Sequence, residues 1–337
     1  MRRAIGVAVW IAALCACLFV ADRVTRRDDG ARKYGPFFEE KDEQAYDVLF
    51  FGTSHMLNAV FPMELWRDYG ITSYNMANNS ECLDVTEWVL RMAFAYHKPK
   101  VAVIDVFYID RQVDEAWAYG FRHLFLDEIP LSPLKVKAVT STLPKSEWME
   151  FLMPFSLYHS RWEEMLTGTT ERQVDTEPCM MGAELRIGRS WPGSYERTQE
   201  MNTEELPGTQ ALRNIAQICR ENGVEPVFVC VPSASPAQLQ MNTNGVRLLA
   251  EELDVPFVQM MDVEGLVDFS TDMYDGENHL NPDGGSKVTA YMGQWLTEHY
   301  PLEDKRSDSR YIAWYARLTE YQAYRELRWG DLTLLDQ

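Results

Sequence analysis

Positive charge is scarce in this chain. Its 337 residues hold 32 Lys and Arg against 51 Asp and Glu, which gives a formal net charge of −19. Binding to nucleic-acid phosphates needs a basic face, so the charge balance argues against a nucleic acid as partner. It argues equally against a body that lies flat on anionic lipid.

Cysteines are few, and none has the spacing of a metal site. Two of the six, Cys15 and Cys17, fall in an apolar N-terminal run. Cys219 and Cys230 stand in helix-like and strand-like patterns, where we expect small core residues rather than disulfide partners. The sequence also lacks a His and carboxylate cluster with metal spacing and a glycine-rich phosphate loop. We therefore expect no metal and no organic cofactor.

Long uncharged runs are absent except at the N-terminus. Residues 4–21 read AIGVAVWIAALCACLFVA, eighteen residues without a charge. That length is near the lower limit for crossing a bilayer and is long for the core of a signal peptide. We expect an uncleaved signal anchor, with a cleaved signal peptide as the alternative, and assign residues 1–29 to the anchor and juxtamembrane segment. The flanking charges do not decide its orientation.

Beyond the anchor, short apolar runs alternate with amphipathic patterns. The predicted strands are 46–51, 71–75, 101–106, 226–231 and 256–259. The predicted helices are about 84–96, 208–222, 242–253 and 281–299. This alternation predicts an α/β domain, a three-layer sandwich with a parallel sheet of about five strands and helices on both faces.

Two segments depart from this alternation. Residues 108–205 show no strand and helix rhythm, and we interpret them as an insertion, mostly of helices and loops, within a domain that covers 30–300. Residues 301–337 carry Tyr and Trp at three- and four-residue spacing. We interpret this tail as a helix that packs back on the domain, with a partner-binding helix as the alternative.

The first candidate for chemistry is Ser54, in the sequence FGTSH at 51–55. A Ser just after a buried strand and a Gly lies in a strand-to-helix turn, where its hydroxyl can point out of the carboxyl edge of the sheet. Backbone N–H groups in such a turn can stabilise an oxyanion. The alternative interpretation of Ser54 is a plain helix N-cap.

The second candidate is His279, in the sequence DMYDGENHLNP at 272–282. A serine nucleophile needs a base, usually His, and the His needs a carboxylate that fixes its tautomer. Asp275, four residues earlier, can supply that carboxylate. The alternative is an Asp-Gly turn followed by an N-capped helix.

Together the two motifs resemble the SGNH/GDSL hydrolase superfamily. Gly52-Thr53-Ser54 is similar to the Gly-x-Ser of the first block of that family, and Asp275 with His279 approximates the Asp-x-x-His of its last block. The resemblance spans roughly 46–107 and 208–299. The segments that resemble a branch associated with envelope acylation, with relatives of the D-alanyl-lipoteichoic-acid assembly protein and of polysaccharide O-acetylation proteins, are VLFFGTSHMLNAV, ITSYNMANNS, KPKVAVIDV and DFSTDMYDGENHLNPDGGSKVT.

The resemblance implies a flavodoxin-like SGNH fold on one N-terminal transmembrane helix, with the domain outside the cytoplasm. It implies a serine acyltransferase or esterase that acts on acyl esters of cell-wall polysaccharide or exopolysaccharide, with a membrane-bound O-acyltransferase as a partner. Ser54 would be the nucleophile, His279 the base and Asp275 the orienting carboxylate. The alternatives are a plain carbohydrate esterase and a non-catalytic envelope assembly factor whose site has decayed.

The sequence departs from the family pattern in the residues around the triad. Three residues separate Asp275 from His279, one more than in the family, so Asp272 and Glu277 stand as substitutes. The family's Gly after the second strand is replaced here by Ala77, Asn78 or Asn79.

The family's Gly-x-Asn-Asp block after the third strand is missing, and Val106-Phe107-Tyr108 stands there. The expected oxyanion hole therefore consists of the Ser54 N–H, a backbone N–H near Asn78 and the Asn79 amide. His55 and His159 are weaker candidates that would line the substrate cleft.

Overall fold

The fold is taken from a computed structural model. It describes residues 2–25, 33–42, 44–111, 119–127, 129–153, 177–191, 193, 195–276 and 279–330.

A parallel sheet of five strands forms the centre of the domain. The strands are β1 (Val48–Phe51), β2 (Ser73–Asn75), β3 (Val101–Asp105), β4 (Glu225–Cys230) and β5 (Phe257–Gln259). Their order across the sheet is β2-β1-β3-β4-β5, and every neighbouring pair is parallel. The predicted α/β class and the parallel sheet of five strands are therefore confirmed. In sheets of this strand order, ligands bind beyond the carboxyl ends of the strands.

The strands are apolar because both faces of the sheet are covered. Alternate residues of β1 point to opposite faces. Leu49 and Phe51 belong to one hydrophobic cluster, and Val48 and Phe50 to another. All four are fully buried. A parallel sheet covered on both faces has this continuous apolar pattern rather than an alternating one.

The described residues form twelve α-helices, which include those that cover the two faces of the sheet. They are α1 (Arg2–Thr25), α2 (Gly35–Glu39), α3 (Ser54–Ala59), α4 (Pro62–Tyr69), α5 (Leu83–Phe94), α6 (Tyr119–Leu126), α7 (Pro133–Thr142), α8 (Trp148–Leu152), α9 (Thr209–Glu221), α10 (Ala237–Leu253), α11 (Pro282–His299) and α12 (Ile312–Arg325). Helices α5 and α9 contribute to the cluster that contains Leu49. Helices α3, α4 and α11 contribute to the cluster that contains Val48.

Four short helical turns complete the structure. Three are 3-10 helices at Pro178–Met180, Met260–Asp262 and Ser309–Tyr311, and one is a π-helix at Glu326–Gly330. In the insertion, α6, α7 and α8 are the described helices, and the segment 177–191 that follows them returns to the sheet, where Met181 O accepts a hydrogen bond from Asn75 N.

Helix α1 contains the uncharged run 4–21, and its large apolar side chains are exposed, with Trp10 at 78%. None of the helices in the described part of the chain combines the length and the hydropathy that a bilayer crossing requires. The expected transmembrane helix is therefore not confirmed.

The C-terminal segment contacts the domain through its helix α12. Trp314 packs near Trp66 of α4, with ring centroids 5.3 Å apart. The Tyr321 hydroxyl donates a hydrogen bond of 2.7 Å to the buried Glu64 carboxylate, and Arg325 forms an ion pair with the same carboxylate. These polar contacts offset the free-energy cost of burying the Glu64 carboxylate, which is only 2% exposed.

Candidate functional site

Ser54 lies at the turn between β1 and α3. Gly52 takes a φ of +127°, which favours glycine, and a Cβ there would lie 2.7 Å from the Cβ of Asp105. Thr53 is the N-cap of α3 and accepts a hydrogen bond from His55 N, so Ser54 is the first helical residue. The sequence thus places the Ser54 hydroxyl at the carboxyl edge of the sheet, as the turn pattern predicts.

His279 is held in the loop before α11. Asn281 caps α11 by accepting hydrogen bonds from Asp283 N and Gly284 N. Just before this cap, His279 O accepts a hydrogen bond of 2.9 Å from Tyr274 N, which closes a short antiparallel loop. The loop brings His279 back toward the carboxylate of Asp275.

The structure brings Ser54, His279 and Asp275 into one hydrogen-bonded chain. Ser54 Oγ lies 2.8 Å from His279 Nε2, and His279 Nδ1 lies 2.5 Å from Asp275 Oδ2. Asp275 Oδ1 also accepts a hydrogen bond of 3.0 Å from His279 N. In this arrangement Nε2 can take the proton of Ser54 while Asp275 keeps the other ring nitrogen protonated.

Burial differs along this chain of side chains. Ser54 is 6% exposed, whereas the side chains of His279 and Asp275 are 23% and 36% exposed. The base is therefore open to substrate and solvent while the nucleophile is held in the turn.

Asp272, the first substitute carboxylate, has another role. Its carboxylate forms an ion pair with Lys287 at 2.6 Å and accepts a hydrogen bond from Asp268 N at 2.7 Å. Asp272 therefore fixes the loop to α11 and does not orient His279. Glu277, the second substitute, lies outside the described residues.

Asn78 has no donor left for an oxyanion. Its backbone N–H donates to Gly52 O at 2.9 Å. Its side-chain Nδ2 donates to the Tyr34 hydroxyl and to Leu124 O, at 3.1 and 2.9 Å. All three N–H bonds of Asn78 are thus used, and the expectation that Asn78 contributes to an oxyanion hole is wrong for this structure.

The other two expected donors each have an N–H with no acceptor among the described residues. Ser54 N–H belongs to the first turn of α3, where backbone N–H groups have no partner within the helix. Asn79 donates its backbone N–H to Asn78 Oδ1, and its Oδ1 accepts from Arg186. Its Nδ2 has no acceptor among the described residues.

His55 lies next to the base. Its ring is stacked on Phe107, with centroids 3.5 Å apart, and lies 5.2 Å from the ring of His279. Burial, reinforced by the nearby His279, holds the pKa of His55 well below its usual range, so His55 is neutral. The neutral His55 ring therefore packs beside the ring of His279. His159, the other candidate for the cleft, lies outside the described residues.

Asp105 is a residue of the site that the sequence interpretation missed. It is fully buried at the end of β3, and its Oδ2 accepts a hydrogen bond of 2.7 Å from Thr53 Oγ1. Burial raises the pKa of Asp105 to about 6, against the lowering effect of the Thr53 hydrogen bond. The acidic residue at the end of the apolar run VAVID was the available signal.

The segment 177–191 is the second part of the site that was missed. Its Glu184 is pinned to α3, because Glu184 N donates to Leu57 O at 3.1 Å. Further on, Ser190 N donates to Met273 O at 3.1 Å, next to the loop that carries His279. The segment therefore runs between the helix of Ser54 and the loop of His279.

No group of three His, Cys, Asp or Glu residues within the described ranges could hold a metal ion. None of the described cysteines of the domain, Cys82, Cys179, Cys219 and Cys230, forms a disulfide, and all four are buried. Burial raises the pKa of Cys179 to about 11 and of Cys219 to about 12, which keeps both as thiols.

Comparison with known proteins adds only a weak likeness in structure. No family model matches the sequence, and no curated protein matches it. A crystal structure of a candidate acylhydrolase from Bacteroides fragilis NCTC 9343 is similar over 81% of this chain and 98% of its own, with 8% sequence identity and a TM-score of 0.39. A TM-score of this size carries no conclusion about activity.

Proposed function

We propose that this protein is a serine esterase or O-acyltransferase in which Ser54, His279 and Asp275 form the catalytic triad. The proposal rests on one observation, the continuous hydrogen bonds of 2.8 Å and 2.5 Å from Ser54 Oγ through His279 to Asp275. Serine is a weak nucleophile until a base takes its proton, and this arrangement provides the base and the group that orients it.

In the first half of the reaction, Ser54 Oγ attacks the carbonyl carbon of an acyl ester while its proton passes to His279 Nε2. The negative charge that develops on the carbonyl oxygen is stabilised by the Ser54 N–H and the Asn79 amide. Collapse of the tetrahedral intermediate breaks the ester bond, and His279 returns the proton to the departing alkoxide. Ser54 is left acylated and Asp275 stays ionised throughout.

In the second half, water or a sugar hydroxyl attacks the acyl-Ser54 carbonyl and gives its proton to His279 Nε2. His279 then protonates Ser54 Oγ as the acyl bond breaks. With water the product is a free acid and the protein is an esterase; with a sugar hydroxyl the product is a new ester and the protein is a transferase. We propose acyl esters of cell-envelope polysaccharide as the substrate class, with a membrane-bound O-acyltransferase as partner, on the strength of the sequence resemblance.

We also propose that residues 4–21 tether the protein to the cell membrane, with the domain outside the cytoplasm. Support for the tether comes from the uncharged run of eighteen residues and the exposed apolar side chains of α1, and the side of the membrane is inferred from the sequence resemblance. Full-length protein expressed in a bacterium should fractionate with membranes, and Leu14→Arg, which places a charge worth about 2.5–3.5 kcal/mol in the middle of the run, should weaken this. Uncleaved full-length protein in the soluble fraction would refute the tether.

The irregular spacing of Asp275 and His279 favours an alternative function, that of a non-catalytic envelope assembly factor. The hydrogen-bonded chain supports catalysis, because the loop absorbs the extra residue and the carboxylate still reaches the ring. A fluorophosphonate probe tests this on the full-length protein. The wild type should be labelled and Ser54→Ala should not.

Ser233→Ala is a matched control for that labelling. Ser233 is also buried and also follows a strand at the same edge of the sheet, but it is hydrogen-bonded to Ser235 rather than to a His. Labelling should persist in Ser233→Ala. Absence of labelling in the wild type, or equal labelling in Ser54→Ala, would refute the proposed chemistry. If labelling depends on Ser54, a second measurement distinguishes the two activities: an esterase passes the acyl group to water, and a transferase passes it to a sugar acceptor.

A further inference from the structure

Arg186 lies between the two loops that flank Ser54. Its Nη2 donates a hydrogen bond of 2.7 Å to Asn79 Oδ1, and its Cζ lies 6.0 Å from the centre of the Tyr274 ring. Tyr274 is adjacent to Asp275, and its backbone N–H is bonded to His279 O. Asn79 follows Asn78, whose N–H is bonded to Gly52 O, two residues before Ser54. The guanidinium thus lies between the loop that is hydrogen-bonded to the turn of Ser54 and the loop that carries His279.

The contact with Arg186 fixes the orientation of the Asn79 amide. A guanidinium has only donors, so the atom of the amide that faces it has to be the oxygen. A flipped amide would set its NH2 group against the guanidinium, donor against donor. The Asn79 NH2 group is therefore turned away from Arg186, and it is free of any acceptor among the described residues.

The charge of the guanidinium also strengthens Asn79 as a donor. Hydrogen bonds with an ionised partner are shorter and stronger than neutral ones, and bonds in series polarise one another. Arg186 draws electron density toward Oδ1, so the N–H bonds of the same amide become better donors. Stronger N–H donors stabilise the transition state at the position where an oxyanion develops.

Arg186 is a poor candidate for holding an anionic substrate directly. Glu184 Oε1 lies 3.4 Å from its Nη2, so the positive charge already has a carboxylate partner. Its Nε is buried without an acceptor in the described part of the chain. Burying a donor without an acceptor costs free energy. This cost is consistent with a functional role for the contact that Arg186 Nη2 makes with Asn79 Oδ1.

We propose that Arg186 is a positioning residue that orients and polarises the Asn79 amide as a donor to the acyl carbonyl oxygen. This inference rests on the proposed serine chemistry. It assigns a function to the segment 177–191, and it replaces the donor that Asn78 does not provide. Asn79 is the group that touches the substrate, and Arg186 acts through it.

A double-mutant cycle on a neutral ester, p-nitrophenyl acetate, tests the proposal on the full-length protein. Asn79→Ala should lower kcat by about 100-fold, the usual loss of one oxyanion donor, with little change in KM. Arg186→Met should lower kcat by about tenfold in the wild-type background and by less than about twofold in Asn79→Ala, because its effect passes through the amide. Asn79→Asp keeps an acceptor for Arg186 but removes the donor, so it should be as slow as Asn79→Ala.

Arg189→Met is the matched control. Arg189 lies on the same segment and pairs with Asp283 at 3.2 Å, so its replacement should leave kcat within about twofold. Losses from Arg186→Met and Asn79→Ala that multiply, a loss in KM alone, or an active Asn79→Asp would overturn the proposal. If p-nitrophenyl acetate is not turned over by the wild type, or is turned over equally by Ser54→Ala, the proposed function fails instead.

One measurement does not depend on turnover. The side-chain NH2 signals of Asn79 in an amide nitrogen and proton spectrum, identified by their loss in Asn79→Ala, should shift in Arg186→Met and stay in place in Arg189→Met. Signals unchanged by Arg186→Met would mean that Arg186 does not hold the amide, and the inference would be refuted whatever the activity.

Discussion

Asp275 contacts His279 at two points. Its Oδ2 lies 2.5 Å from the ring Nδ1, and its Oδ1 accepts a hydrogen bond of 3.0 Å from the His279 backbone N–H. One carboxylate thus fixes both the backbone and the ring of the same residue across a loop of three intervening residues. This two-point contact explains how an Asp-x-x-x-His spacing still presents Nε2 to Ser54.

The first prediction concerns Asp275. Asp275→Asn should lower kcat by about 10⁴-fold, because an amide in this place no longer fixes the productive tautomer or stabilises the imidazolium. The melting temperature should change little, because the Asp275 side chain is 36% exposed. Ester turnover and thermal unfolding of the same preparation check both parts.

Asp272→Asn provides the contrast. It removes the ion pair with Lys287 but leaves the His279 contacts, so it should lower the melting temperature while kcat stays within about tenfold of the wild type. If Asp272→Asn abolished turnover and Asp275→Asn did not, the orienting carboxylate would be misassigned.

The second prediction is that Ser54 and His279 act as a unit. Ser54→Ala or His279→Ala should each remove most ester turnover, and the double variant should be only slightly slower than either single one. The physical reason is that neither the unactivated hydroxyl nor the base alone contributes to the attack. Steady-state kcat/KM for the three variants measures this, and losses that multiply would contradict a shared step.

The third prediction concerns the turn that carries Ser54. Thr53 Oγ1 donates to Asp105 Oδ2 at 2.7 Å and accepts from His55 N at 3.2 Å. Thr53→Val removes both contacts and leaves a buried carboxylate oxygen without this donor, so unfolding should become easier by about 1–2 kcal/mol. The rate of fluorophosphonate labelling should fall as well, because the turn is less well held.

Thr53→Ser keeps the hydroxyl and is the control for that change. It should retain both the stability, within about 0.5 kcal/mol, and the labelling rate of the wild type. A Thr53→Ser variant as impaired as Thr53→Val would point to the lost methyl group rather than to the hydrogen bonds.

Much of the sheet and part of the site could be predicted from local sequence. The runs VLFF, VAVID and PVFVC are apolar because a parallel sheet buries both faces, so composition alone identifies β1, β3 and β4. Asp275 and His279 are four residues apart, so their contact depends on one loop. Ser54 follows its strand directly. Each of these features is fixed by neighbours in the chain.

The features that were missed depend on contacts between distant segments. The Asn78 N–H is used by Gly52 O, a contact between two loops that no spacing within one loop predicts. Arg186 reaches Asn79 across 107 residues from an insertion without periodicity. In the sequence, Asp105 is an ordinary polar residue at the end of a strand. Its role is shown only by the hydrogen bond that it accepts from the Thr53 hydroxyl.

The fourth prediction concerns Glu81, a buried carboxyl beside the proposed site. It is fully buried, and burial raises the pKa of Glu81 to about 8, against the lowering effects of the Thr86 hydrogen bond and of Lys33. Because the folded protein binds this proton more tightly than the unfolded chain does, the stabilisation is fully present below pH 4.5. It is lost as the pH rises through the folded pKa.

Glu81→Gln removes this titration while it keeps the shape of the protonated acid and an oxygen that can accept from Thr86 Oγ1, as Oε1 does at 2.8 Å. The free energy of unfolding of Glu81→Gln relative to the wild type should therefore increase between about pH 4.5 and pH 8, by at most about 1.4 kcal/mol per pH unit. Above pH 8 the difference should level off, because the carboxyl is then ionised in both states.

Urea unfolding at intervals from pH 5 to pH 9 measures this curve. A difference that stays constant with pH would mean that Glu81 titrates alike in the folded and unfolded chains. A difference that shrinks as the pH rises would mean that the folded protein favours the ionised carboxylate, with Lys33 outweighing burial.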